Sequence, residues 1–402
     1  MTPAPPQQIT PLQGRVLSID AARGAAMILM AIDHLRDFIN SAAMSFSPTD
    51  LARTTAPLFF TRWVTHFCAP VFAFTAGMGA FLWARRKTRA QLSWFLLTRG
   101  LWLMLLEVTV LRFIFFLDVR FAHTIFILTV LWMLGLCMVV LAGLVHLPRH
   151  LLAALSIVVI AAHNLLDHVD AARLGRGAWI WNILHQQGLF RVGGDSVVVG
   201  YPLIPWFAVM ACGYCLGPVF LSNDGRRRRF LLRLGMGLTA AFVVLRALNI
   251  YGDPARWAVG RSRLLTLMSF LNTTKYPPSL DFLLMTLGPA LLAMAWLERP
   301  RLPSTNPLVV FGRVPLFFFL VHLAVIHVLS IAMNFLRYGS TSFLFLPAPS
   351  MGGPREMFPP GYGYGLWVVY AVWIAVIAML YPLCRWYAQL KQERRDWWLS
   401  YV

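Results

Sequence analysis

Apolar residues fall into ten long runs separated by short polar stretches, and each run is long enough to cross a bilayer as a helix. The predicted spans are 16–40, 57–84, 92–117, 122–146, 150–167, 200–221, 229–250, 279–297, 308–336 and 364–388. The expected fold class is therefore all-α, a polytopic membrane helical bundle of about ten transmembrane helices. One membrane domain is expected over 15–390, with tails at 1–14 and 391–402. Three connecting segments are long, at 168–199, 251–278 and 337–363, and carry Trp179, Trp181, Trp257 and Lys275-Tyr-Pro-Pro278. They read either as interfacial anchors and turns or as a lid or acceptor platform on the outer face. Gly213-x-x-x-Gly217 predicts a close helix–helix contact.

Composition agrees with the pattern. The chain is 58% hydrophobic and only 13% charged, with a mean hydropathy of +0.65, which is unlike a soluble domain. The net charge of +19 does not point to nucleic acid, because the basic residues stand in short clusters between apolar runs. Anionic membrane lipids are the expected counter-charge. With ten alternating spans, Arg85 to Lys87, Arg89, Arg149, Arg226 to Arg229, Arg299, Arg301, Lys391, Arg394 and Arg395 fall on one side. The positive-inside rule makes that side cytoplasmic and puts both termini there, in a multi-pass cell-membrane protein. Arg173, Arg176, Arg191, Arg256, Arg261 and Arg263 lie on the other side, in longer loops where the rule is weaker. The five cysteines imply no disulfide framework, and homo-oligomerisation is left open.

The first run is the unusual one. Only Gly24 to Ile32 are free of charge, about 14 Å of helix against about 30 Å of hydrocarbon. One stripe of this helix must face a polar cavity or a partner helix. Arg23 and His34 project within about 20° of each other and about 16 Å apart along the axis. Met27, Met30 and Asp37 share that face. In the second run Arg62 and His66 are one turn apart. The topology puts His34, His66, Asp33 and Asp37 at one depth with Arg23 lower, so a single cavity crossing the membrane is expected to hold them all.

Each group also has a plainer reading. Arg23 can pair with Asp20; Asp33 and Asp37 with Arg36 or Arg112; Glu107 with an arginine of the bundle. His163, His322 and His327 read as hydrogen-bonded core or interfacial histidines. A zinc site has no H-x-x-x-H support among His34, His66, Asp33 and Asp37, so no metal is expected. Against these readings, a cation far below an imidazole along one helix suits an extended anionic donor such as acetyl-CoA or another acyl-CoA. Its phosphates would stay near arginines at the cytoplasmic mouth, and its thioester would end near histidine. Arg23, Arg62, Arg99 and Lys275 are the candidate donor-binding cations, and His34, Asp33, Asp37 and His66 the candidate catalytic groups. The histidine would act as general base on an acceptor hydroxyl or amine, or take the acyl group itself. The rival reading is a transporter or flippase of a glycolipid or small solute; no half-to-half symmetry in the chain favours it.

Ser18-Ile-Asp20-x-x-Arg23-Gly24, Asp33-His34-x-Arg36-Asp37 and Thr65-His66-Phe-Cys-Ala-Pro70-Val-Phe-Ala-Phe74 with Gly77 resemble the catalytic domain of the heparan-alpha-glucosaminide N-acetyltransferase family. Tyr201 to Trp206, Lys275 to Leu280, and Phe311-Gly-Arg-Val-Pro315 with His322 resemble its bacterial branch, and the likeness spans about 15–336. The Arg23-to-His34 spacing is also similar to the R-x10-H signature of type-3 acyltransferases. The resemblance implies transfer of an acetyl or similar group from cytoplasmic acyl-CoA to a sugar or envelope glycan, in a bacterial inner membrane if the source is bacterial. Two positions depart from the lysosomal enzyme: its proposed catalytic histidine would fall near Ala56, and His66 stands where it has aspartate.

Overall fold

The computed structural model describes residues 16–42, 45–119, 124–298, 302–345 and 355–394, with Asp396 and Leu399. The predicted N-terminal tail, Arg299, Arg301 and half of the predicted C-terminal tail, Arg395 included, lie outside those residues. The first predicted span is α1 (Leu17–Ile39). The second divides into α2 (Ala56–Thr65) and α3 (Cys68–Trp83). The third is α4 (Arg89–Leu106) and α5 (Arg112–Phe116), joined by a π-helical turn. The fourth holds a strand, β1 (Ile125–Leu128), before α6 (Val130–Leu144). Then follow α7 (Arg149–Ala162), α8 (Ala178–Leu184), β2 (Gly188–Val192), β3 (Asp195–Val199) and α9 (Trp206–Leu216). The chain closes with α10 (Asp224–Leu248), α11 (Arg263–Leu271), α12 (Leu280–Leu297), α13 (Pro307–Arg313), α14 (Pro315–Tyr338) and α15 (Leu366–Glu393).

The protein is an all-α bundle with one small sheet. Among the described residues, seven helical segments are long and apolar enough to cross a membrane. α6 and the α9 segment are shorter apolar helices, and α1 carries the charges already noted. Proline explains two breaks in the predicted spans. A proline ring clashes with the carbonyl four residues back. For Pro70 that carbonyl belongs to His66, where α2 gives way to α3. For Pro315 it belongs to Phe311, and α13 stops two residues later at Arg313.

α1 is surrounded by protein rather than lipid: α2, α3, α12, α13, α14 and α15 all pack on it. This is how a helix with so short an uncharged stretch is kept at membrane depth. Against α13 the backbones touch. A Cβ at Gly24 would collide with the Leu308 carbonyl, and one at Gly312 with the Asp20 carbonyl. Gly213 lets α9 approach the Phe74 carbonyl of α3 in the same way, as the small-residue spacing predicts.

The span predicted over 122–146 is corrected at its start. Residues 125–128 pair in parallel with β3, which pairs antiparallel with β2, in the order β1-β3-β2. Ile-Phe-Ile-Leu is compatible with helix or strand, and its partner lies about 70 residues on in sequence, beyond the reach of local periodicity. The predicted pairing of Glu107 with an arginine is also corrected. Its carboxylate accepts from Thr129 N at 2.8 Å, Thr129 Oγ1 at 2.6 Å, Leu131 N at 3.1 Å and Trp132 N at 3.1 Å. It thereby caps α6 with a negative charge at the positive end of the helix. On the other side Arg246 of α10, 1% exposed, donates to the carbonyls of Ala255, Ser269, Phe270 and Asn272. It thus ties down the long loop that carries Lys275 and Tyr276.

Candidate functional site

A chamber of about 1100 Å³ opens between the end of α1, the α2–α3 break, α14 and the loops. Asp33, His34, Asp37, Arg62, His66 and Lys275 all line it, so six of the predicted site residues are brought together. Ile125 and Ile127 of β1, Leu189 of β2 and Val198 of β3 form a sheet wall. Lys275, Tyr276 and Arg355 come from the long loops, and Tyr201 from the short turn between β3 and α9. These loops therefore act as walls of the chamber.

Arg23 and Arg99 lie elsewhere, in a second space of about 100 Å³ with Met27, Phe72 and Thr75. Arg23 donates from Nε to Thr75 Oγ1 at 3.0 Å and from Nη2 to the Thr75 carbonyl. The expectation of one continuous cavity is corrected here. Val130 and Phe319 line both spaces and stand between them. Phe319 is buried, with its ring edge-on to His34 at 6.0 Å. Arg23 and His34 do project toward the same side of α1, but packed side chains separate them.

The aspartates do not orient His34. Arg36 donates from Nη2 to Asp37 Oδ1 at 2.8 Å, and its Nη1 is ion-paired with Asp33 Oδ1 at 2.8 Å. Arg62 is paired with Asp33 Oδ2, and Thr65 Oγ1 donates to Asp33 Oδ1 at 3.0 Å. Asp33 is thus the centre of a clamp that joins α1 to α2. The group on His34 is one that sequence reasoning placed in the core: His34 Nδ1 lies 2.7 Å from His322 Nε2. His322 is fully buried, and its Nδ1 lies 2.8 Å from the Phe318 carbonyl. A carbonyl only accepts, so His322 Nδ1 carries the proton and its Nε2 accepts. His34 Nδ1 must then donate, which leaves His34 Nε2 as an acceptor. The one sequence signal for this partner was the motif of Phe311 to Pro315 followed by His322.

His66 is 3% exposed, and its Nδ1 has no partner among the described residues. It lines the chamber, with its ring 5.4 Å from Phe282. Tyr201 and Tyr276 meet edge-on, with hydroxyls 3.2 Å apart. The Lys275 ammonium lies 5.1 Å from the Tyr276 ring. Burial alone would raise the Tyr276 phenol, but the Lys275 and Arg62 cations hold it below its ordinary value. Four cations (Arg36, Arg62, Lys275, Arg355) and two carboxylates (Asp33, Asp37) line the chamber, which is therefore net positive.

Fold and chamber together define a multi-pass membrane protein with ionisable chemistry enclosed between its helices. The chain belongs to the family described as heparan-alpha-glucosaminide N-acetyltransferase, catalytic, whose model matches residues 15–252. Membership makes it a membrane protein of the acetyltransferase kind. No curated protein matches the chain.

Proposed function

We propose that the protein moves an acetyl or similar acyl group from acyl-CoA to a sugar or envelope-glycan acceptor, with His34 as general base. The observation that carries this reading is the chain of bonds from the Phe318 carbonyl through His322 to His34. It keeps His34 Nε2 in the unprotonated form that a base requires. An acceptor hydroxyl or amine would attack the thioester carbonyl while its proton passes to Nε2. The carbon–sulfur bond then breaks, and the leaving thiolate takes the proton back. His322 would stabilise the imidazolium by continuing to accept from Nδ1. The excess of cation around the chamber suits an acceptor that itself bears negative charge. Tyr201 and Tyr276 offer aromatic faces for a sugar ring. The donor arm would lie along α1 past Met27, with Arg23 and Arg99 beside it. To bring the thioester to His34, Phe319 must turn aside.

The test is a purified-protein assay with labelled acetyl-CoA against a panel of envelope sugars. Transfer is expected in the wild type and lost in His34→Ala, with coenzyme A binding kept. Full activity in that variant would remove His34 from the mechanism. Sugar or lipid movement without acyl transfer would replace this reading by that of a transporter.

A further inference from the structure

At the end of α3 remote from His66, about 24 Å away by helix rise, a third cavity of about 270 Å³ is ringed by Arg85, Lys87, Arg89 and Arg149. No carboxylate lines it, and none of the four cations is in an ion pair among the described residues. Arg89 Nη1 donates to the His146 carbonyl at 3.0 Å, which holds its guanidinium at the rim. Arg149 opens α7, whose N-cap is Pro148 with no side-chain cap, so its first amides add positive potential there. The floor is apolar, from Phe81, Leu92 and Leu147. Beside the cavity Trp83 and Trp94 are exposed on the bundle surface, as are Leu151 and Leu155 of α7.

We propose that this cavity binds the phosphate of an anionic phospholipid, with the acyl chains lying on the apolar surface of α4 and α7. Its position fits such a lipid. It stands where an apolar span ends, flanked by tryptophans of the kind that sit at headgroup depth, and basic pockets between membrane helices recognise anionic headgroups. It is also separate from the Arg23 space. Phe72, Thr75, Ala76 and Gly79 face Arg23, whereas Phe81 points to the other side of α3, against Tyr214 at 5.8 Å and Gly217. A donor lying along α1 therefore does not pass through it.

Detergent-purified protein would be titrated with phosphatidylglycerol or phosphatidylcholine, reading retained lipid by native mass spectrometry and Tm by thermal unfolding. Phosphatidylglycerol should be retained and raise Tm; phosphatidylcholine should do neither. Arg89→Gln and Arg149→Gln should each cut phosphatidylglycerol retention about fivefold, and Arg226→Gln, outside the cavity, should not. Equal retention of the two lipids overturns the proposal without any variant. So does wild-type retention in both rim variants. Displacement of the lipid by adenosine 3′,5′-bisphosphate, with the same dependence on Arg89 and Arg149, also overturns it and assigns the cavity to a soluble phosphate.

Discussion

His34 Nδ1 and His322 Nε2 face each other at 2.7 Å across the α1–α14 contact, 288 positions apart in sequence. The pair converts a core histidine into the partner that sets the protonation of a chamber histidine. Replacing His322 by Phe keeps an aromatic ring, a somewhat larger one, but removes the acceptor for His34 Nδ1. The expected result is a fall in kcat of roughly 10²-fold or more with little change in KM, because the tautomer is lost while the walls remain. Steady-state kinetics over a pH series would read this. An unchanged kcat and pH profile would reduce His322 to packing.

Phe319 and Val130 part the two spaces. Phe319→Ala should join them and let water reach the donor thioester. Release of free coenzyme A without acceptor is expected to rise, at a stability cost of about 3 kcal/mol. Phe319→Leu should behave like the wild type. Thiol release measured without sugar decides it: no rise in the Ala variant would mean that Phe319 does not seal the donor space.

Asp33 accepts from Arg62 and Thr65 and is ion-paired with Arg36. Asp33→Ala would leave the buried Arg36 and the partly buried Arg62 short of charge, and about 3 kcal/mol of stability should go with it. Thermal unfolding should show the loss, and its size should shrink when Arg62→Ala is combined with it. Normal stability with abolished transfer would restore Asp33 to a chemical role.

Glu107 holds four donors at the start of α6. Glu107→Gln replaces one accepting oxygen by a donor and faces it with N–H groups, costing about 1–3 kcal/mol. A lower Tm with the fold retained is expected; an unchanged Tm would show that water caps α6 as well as the carboxylate does.

Tyr276 should ionise below the ordinary range of a phenol, held there by Lys275 and Arg62 against the effect of burial. A folded value below the unfolded one means that stability rises with pH between the two and is lost as pH falls through the folded value. Phenolate absorbance should show an early step that Tyr276→Phe removes and Lys275→Gln moves upward. A step surviving in Tyr276→Phe belongs to another tyrosine.

Much of the candidate site could be read from one helix. The charges of α1 are too costly in lipid, which required a protein-lined cavity, and helical spacing put Asp33, His34 and Asp37 near Arg62 and His66. Pro70 and Pro315 are visible in sequence, but that they break the helices at His66 and Val314 needed the coordinates, because prolines elsewhere are absorbed: Pro289 and Pro382 lie inside continuous helices.

By itself the sequence determined the membrane bundle, the protein-wrapped first helix and the convergence of Asp33, His34, Asp37 and His66, because these follow from hydropathy, helical period and the cost of charge in hydrocarbon. Tertiary structure alone decided three matters: that His34 is served by His322 rather than by an aspartate, that a strand stands where a helix was expected, and that an aromatic ring divides the cavity. Each depends on a partner far away along the chain, and local periodicity carries no record of which distant residue will supply the missing donor, acceptor or wall.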